Sequence, residues 1–174
     1  LVGLNPWMKE AEAAVSNTST PSTGMSVPSG PMQLASFQNP YNLSLLDGEK
    51  GFIIHGLVQD DNLGASVSSA GDLNGDGVSD LVAAAPFADP GNRIDAGTVY
   101  IIFGKVGGWL SSFDLSKLNG NNGFVVPGIA SGDLGWSVSS AGDINGDSIT
   151  DWVLGAPHAN SDNGVVYVIF GSRA

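Results

Sequence analysis

The sequence contains no cysteine, which excludes disulfides and thiolate metal sites as its staples. That suits a reducing compartment, and equally a secreted protein held together by another device. Basic residues are scarce, with 6 Lys and Arg against 17 Asp and Glu and a formal net charge of −11. Such a balance excludes nucleic acid as a partner, because phosphates need a basic surface. No apolar run approaches the roughly 18 residues that a membrane-spanning helix requires. Only two histidines occur, His55 and His158, and neither stands in a nucleophile or metal-ligand motif. The first residue is Leu1 rather than Met, which reads as a processed or trimmed start, and no signal peptide is visible.

What is present points to a folded β protein. The 174 residues allow one ordinary domain, or a domain with a tail, and 42% of them are hydrophobic, enough for a sizeable core. Glycine is abundant at 25 residues and lacks a collagen-like triplet period. Its abundance indicates many tight turns between short strands.

The first 40 residues differ from the rest. "NPWMKEAEAAV" predicts a short helix, with Asn5 as N-cap and Pro6 at the first helical position. Ser16 to Pro31 is rich in Ser, Thr, Pro and Gly, a composition expected of a linker or surface strap. Residues 1–40 are therefore read as a mostly irregular extension.

From Tyr41 onward the chain is a tandem repeat, divided here into residues 41–112 and 113–174. "YNLSLLDGEKGFIIHG" aligns without gaps on "FDLSKLNGNNGFVVPG", and "LGASVSSAGDLNGDGVSD" on "LGWSVSSAGDINGDSITD". "GTVYIIFG" is answered by "GVVYVIFG" after a loop four residues shorter. Each repeat offers four short β-branched or aromatic runs bounded by glycine, which read as four strands. Four-stranded units in tandem are the signature of a β-propeller, so the expectation is an all-β fold of two blades.

Both repeats also carry a dense acidic loop, "AGDLNGDGVSD" at Ala70 to Asp80 and "AGDINGDSITD" at Ala141 to Asp151. Six of the 17 acids lie there, and without them the balance is 11 acids to 6 bases. Carboxylates at alternate positions repel one another unless a hard cation holds them, and calcium takes six to eight oxygens in a flexible cage. The expected ligands are Asp72, Asn74, Asp76 and Asp80 with the carbonyl of Val78, then Asp143, Asn145, Asp147 and Asp151 with the carbonyl of Ile149. Magnesium, which prefers octahedral geometry and keeps its waters, suits such a loop less well. An EF-hand would need Glu at the twelfth position, where Ala83 and Leu154 stand. The competing reading is an Asx-rich turn without metal. Gly77 occupies a left-handed position in the first loop, where the second has Ser148 at a cost of about 1 kcal/mol, so the second site is expected to be weaker.

"LGWSVSSAGDINGDSITDWVLGAP" followed by "GVVYVIFG" resembles the FG-GAP repeat of integrin α-subunit propellers and of many secreted microbial proteins. The resemblance spans Tyr41 to Ala174, and the missing cysteines place it nearer the microbial repeats. It departs in having Leu-Gly for the initial Phe-Gly and "AAAP" for Gly-Ala-Pro in the first repeat. It implies that the calcium loop joins the first two strands of a blade. It also implies about seven repeats in a closed ring, more than this sequence carries.

The functional expectation is a calcium-binding structural or interaction module serving protein–protein association or adhesion, outside the cytosol, without catalysis. The alternative is a non-catalytic accessory segment of a larger secreted hydrolase. A protein partner or self-association is expected, because two blades leave apolar faces and strand edges open. Trp136 and Trp152 are read as packing residues, with carbohydrate stacking as the alternative. The serines of "SVSSAG" are read as blade packing rather than nucleophiles.

Overall fold

The computed structural model describes residues 41–129 and 131–172. All of these except Tyr41 fall in one unit, Asn42–Ala174. The helix and linker expected within residues 1–40 lie outside the described residues.

Among the described residues the chain forms nine strands and little helix. They are β1 (Ile53–Ile54), β2 (Ser66–Gly71), β3 (Asp80–Ala85), β4 (Thr98–Ile102), β5 (Ser112–Phe113), β6 (Gly123–Pro127), β7 (Ser137–Gly142), β8 (Asp151–Ala156) and β9 (Val165–Ile169). One antiparallel sheet runs β2-β3-β4-β6 and a second runs β7-β8-β9, while β1 and β5 form a short parallel pair. The all-β, blade-like architecture is thus as the repeats imply.

The distribution of strands differs from four per repeat. "GFVVP", the first strand of the second repeat, lies beside β4 as the outer strand of the first sheet, with Val99 opposite Val126 and Ile101 opposite Phe124. Its counterpart β1 pairs with β5 instead of with its own repeat's sheet. The sheets therefore cut across the repeats, and the second sheet has three strands among the described residues. Hydrogen-bond partners, not duplicated sequence, define a sheet, and the open edge of β4 is the one that β6 reaches.

The two sheets pack face to face, which explains their burial patterns. β4 is buried at all five positions and β3 nearly throughout, as expected of central strands covered on both sides. Val82, Ala84, Val99 and Ile101 of the first sheet meet Trp152, Leu154 and Ala156 of the second in one core. Phe124 stands edge-on to Trp152 at 6.3 Å and to Phe103 at 5.9 Å. On the opposite face of the first sheet, Tyr100 and Ile102 are covered by Leu115, Ile54, Leu63 and Trp109.

Serines organise the innermost strands. Ser66 Oγ accepts the Val138 N–H at 3.0 Å, tying β2 to β7 across the sheets. Ser69 Oγ accepts the N–H of Gly71 at 3.1 Å, where the register with β3 shifts. Ser140 and Gly142 repeat this bulge in β7. Each bulge ends the ladder where an acidic loop begins.

Candidate metal loops

Each acidic loop is a wrapped turn in which carboxylates face the backbone N–H groups that follow them. Asp72 Oδ1 accepts from the Asp76 N–H at 2.9 Å and Oδ2 from the Gly77 N–H at 2.8 Å. Asn74 Oδ1 accepts from the Asp76 N–H at 3.0 Å, and Asn74 Nδ2 donates to Asp76 Oδ2 at 2.9 Å. Asp76 Oδ1 accepts from the Val78 N–H at 2.8 Å. The second loop has the same wiring through Asp143, Asn145 and Asp147, with Ser148 and Ile149 as donors. The third and fifth residues of each loop are thus joined side chain to side chain, and both answer the same backbone turn as the first.

Asp80 and Asp151 are placed differently from their fellow candidates. They open β3 and β8 and are buried. Asp80 accepts the Leu73 N–H through Oδ2 and the Gly104 N–H through Oδ1, both at 2.8 Å. Asp151 does the same with Ile144 at 2.8 Å and Gly171 at 2.9 Å. Each carboxylate therefore ties the start of its loop to the glycine that follows the third strand. Burial pushes the Asp80 carboxyl above its ordinary range; the Gly104 and Leu73 N–H groups oppose this, and the charges of Asp76 and Asp72 add to it.

No group of three or more His, Asp or Glu side chains among the described residues is arranged to hold a metal ion. The donor chemistry nonetheless fits calcium, because carboxylate, amide and carbonyl oxygens are the hard ligands this ion takes. Asp72, Asn74, Asp76 and the Val78 carbonyl are the residues that would hold it, with Asp143, Asn145, Asp147 and the Ile149 carbonyl in the second loop. Asp80 and Asp151 could join only through carboxylate oxygens that each already accept one N–H group. Gly77 has φ +86 and Ser148 has φ +67, so the same left-handed turn is made at low strain in one loop and against a Cβ in the other.

Gly104 and Gly171 complete these clamps. A Cβ on Gly104 would come 2.3 Å from the Ser79 carbonyl oxygen, and one on Gly171 would come 2.5 Å from that of Thr150. Recurrence of "FG" after the third strand of both repeats was the available signal. His158, which stands in no nucleophile or metal-ligand motif, has a partner in the structure: its Nδ1 lies 2.6 Å from Oδ2 of the buried Asp133. Trp152 is wholly buried in the core, whereas Trp136 is half exposed and stands edge-on to Phe87 and His158.

Comparison with known proteins agrees with this geometry. The FG-GAP repeat family matches residues 63–102 and 134–169, each match running from before an acidic loop through the third strand of its sheet. Integrin alpha-PS5 of Drosophila melanogaster is 35% identical over 121 residues, covering 70% of this chain and 11% of that protein. Phosphatidylinositol-glycan-specific phospholipase D of Bos taurus is 40% identical over 116 residues, covering 64% of this chain and 13% of that protein. Integrin alpha ina-1 of Caenorhabditis elegans is 30% identical over 135 residues, 72% of this chain and 11% of that protein. The chain thus spans between 11% and 13% of the length of these relatives. Two matched repeats, each a sheet with the same wired loop, make this chain a member of the FG-GAP repeat proteins.

Proposed function

We propose that the chain is a calcium-stabilised FG-GAP interaction module that acts outside the cytosol through protein–protein contacts and performs no catalysis itself. The observation that carries the reading is the shared wiring of two oxygen-rich loops, each between the first two strands of a sheet. Adhesion is the specific role that the integrin relatives suggest. Among the described residues no helix is long and apolar enough to cross a membrane, so the module contributes no helical anchor from that region.

The similarity to phosphatidylinositol-glycan-specific phospholipase D favours one second reading, an accessory segment of a larger hydrolase. In both readings the repeats bind and position, and the sequence offers no nucleophile–base pair for more.

Calcium titration tests the metal half. Extracellular calcium modules bind at roughly 10⁻⁴–10⁻³ M, and calcium at about tenfold above such a constant stabilises by about 1.4 kcal/mol per site. Isothermal titration is expected to show calcium uptake, with a Tm that rises in millimolar calcium and falls with chelator. Absence of uptake would leave the loops as metal-free turns.

A further inference from the structure

We propose that Asn74–Gly75 is a site of spontaneous modification: in the folded chain this step closes to a cyclic imide and opens to an aspartyl or isoaspartyl residue, ahead of every other Asn–Gly step. The inference stands whether or not the loops hold calcium. Five Asn–Gly steps occur in the sequence, at Asn74, Asn119, Asn122, Asn145 and Asn163. Asparagine is a thermolabile residue, and a following glycine, lacking a Cβ, leaves its nitrogen unshielded. In the reaction the Gly75 nitrogen loses its proton and attacks Cγ of Asn74. The N–Cγ bond forms, the Cγ–Nδ2 bond breaks, and the departing amide nitrogen takes up that proton and leaves as ammonia. Water then opens the imide at one of its two carbonyls, giving the aspartyl or the isoaspartyl product.

The reaction makes two geometric demands. First, the side-chain amide must reach forward, over the nitrogen of the next residue. Asn74 does so: its Oδ1 accepts the Asp76 N–H at 3.0 Å and its Nδ2 donates to Asp76 Oδ2 at 2.9 Å. An amide tied to the residue two places on lies across the intervening peptide, and the N–H on Oδ1 polarises Cγ for attack. Asn119 and Asn145 reach forward likewise, accepting from the N–H groups of Asn121 and Asp147. Asn122 and Asn163 reach backward instead, donating to the carbonyls of Lys117 and Asn160. That turns their amides away from the glycines that follow.

Second, the glycine nitrogen must be able to lose its proton. An N–H held by an acceptor keeps it, most of all when the acceptor is a carboxylate. Gly120 donates to the Gly123 carbonyl at 2.9 Å, and Gly164 to that of Ala159 at 3.0 Å. Gly146 donates to Asp143 Oδ1 at 2.7 Å. Gly123 is buried at the start of β6. Gly75 is exposed, and among the described residues its N–H has no acceptor. The two acidic loops differ here because Asp143 Oδ1 takes the N–H groups of both Gly146 and Asp147, whereas Asp72 Oδ1 takes that of Asp76 alone. Asn74–Gly75 therefore meets both demands, and no other Asn–Gly step does. Either product loses the donor that Asn74 offers to Asp76 and sets a second carboxylate against it. The isoaspartyl product also adds a backbone carbon within the turn. The first loop is thus the one that ages.

Timed peptide mapping tests this. The full chain is incubated at mildly alkaline pH in chelator, and all five asparagines are followed by mass spectrometry with chromatographic separation of the isoaspartyl peptides. In the folded chain Asn74 is expected to convert several-fold faster than Asn119 or Asn145. In urea, where every glycine N–H faces solvent, the five rates should converge. Asp143→Ala frees the Gly146 N–H and is expected to bring Asn145 up to the rate of Asn74. Asn74→Gln, whose longer side chain closes a ring far less readily, should leave position 74 intact. Equal rates at Asn74 and Asn119 in the folded chain would overturn the inference. So would the folded ranking persisting in urea, which would assign it to sequence and not to the fold, or an unchanged Asn145 in Asp143→Ala. Fast conversion at Asn74 in a chain that takes up no calcium would uphold the inference while removing the metal reading.

Discussion

Single positions decide how much strain and charge the loops carry. Ser148 holds φ +67 where Gly77 holds φ +86, and a Cβ in that conformation costs about 1–2 kcal/mol. Ser148→Gly is therefore expected to raise Tm by the equivalent of about 1 kcal/mol, after allowing for the added freedom of the unfolded chain. It should also tighten calcium uptake at the second loop. An unchanged Tm would mean that the turn is relaxed around serine. Asp61 behaves oppositely to a paired carboxylate: burial first, then the charges of Asp89 and Asp60, push its carboxyl above the ordinary value. A carboxylate raised in the folded state favours folding when protonated, and that contribution is lost as pH rises through the folded value. Asp61→Asn is accordingly expected to be more stable than the parent at neutral pH. The gain should vanish below the usual carboxylate range, near pH 3.9; thermal melts across that window provide the check.

At the scale of elements, the loop aspartates divide into two kinds, and substitution should separate them. Asp80 satisfies the buried Leu73 N–H and the half-buried Gly104 N–H, and leaving a buried donor unpaired costs roughly 1–3 kcal/mol. Asp80→Ala is expected to destabilise the chain with or without calcium. Asp76→Ala removes a proposed ligand from an exposed turn, so its penalty should appear chiefly in calcium, while Ser79→Ala should change little. Equal losses for Asp76→Ala in calcium and in chelator would assign the loop a purely structural role. The turn made by Asp72, Asn74 and Asp76 was legible in the sequence because its contacts span five residues or fewer. The clamp from Asp80 to Gly104 was not, since it joins positions 24 apart. Strands likewise announced themselves through β-branched runs between glycines. Which sheet each strand would join did not, because β6 carries the pattern of one repeat and the hydrogen bonds of the other. His158 lacked any sequence signal for its pairing with Asp133, which comes from a segment outside its own strand pair.

For the whole molecule, stability should be graded from one end to the other. The first sheet has both faces covered and both edges of β4 paired, whereas among the described residues β9 pairs only with β8, and its Val166 and Val168, with Phe170 just beyond it, stand in solvent. Exchange protection follows buried contacts and paired backbone. At low protein concentration the amides of β4 are expected to exchange slowly, and those of Val166 and Val168 rapidly. Protection of β9 that matches β4 in dilute solution would show that the chain covers this edge itself.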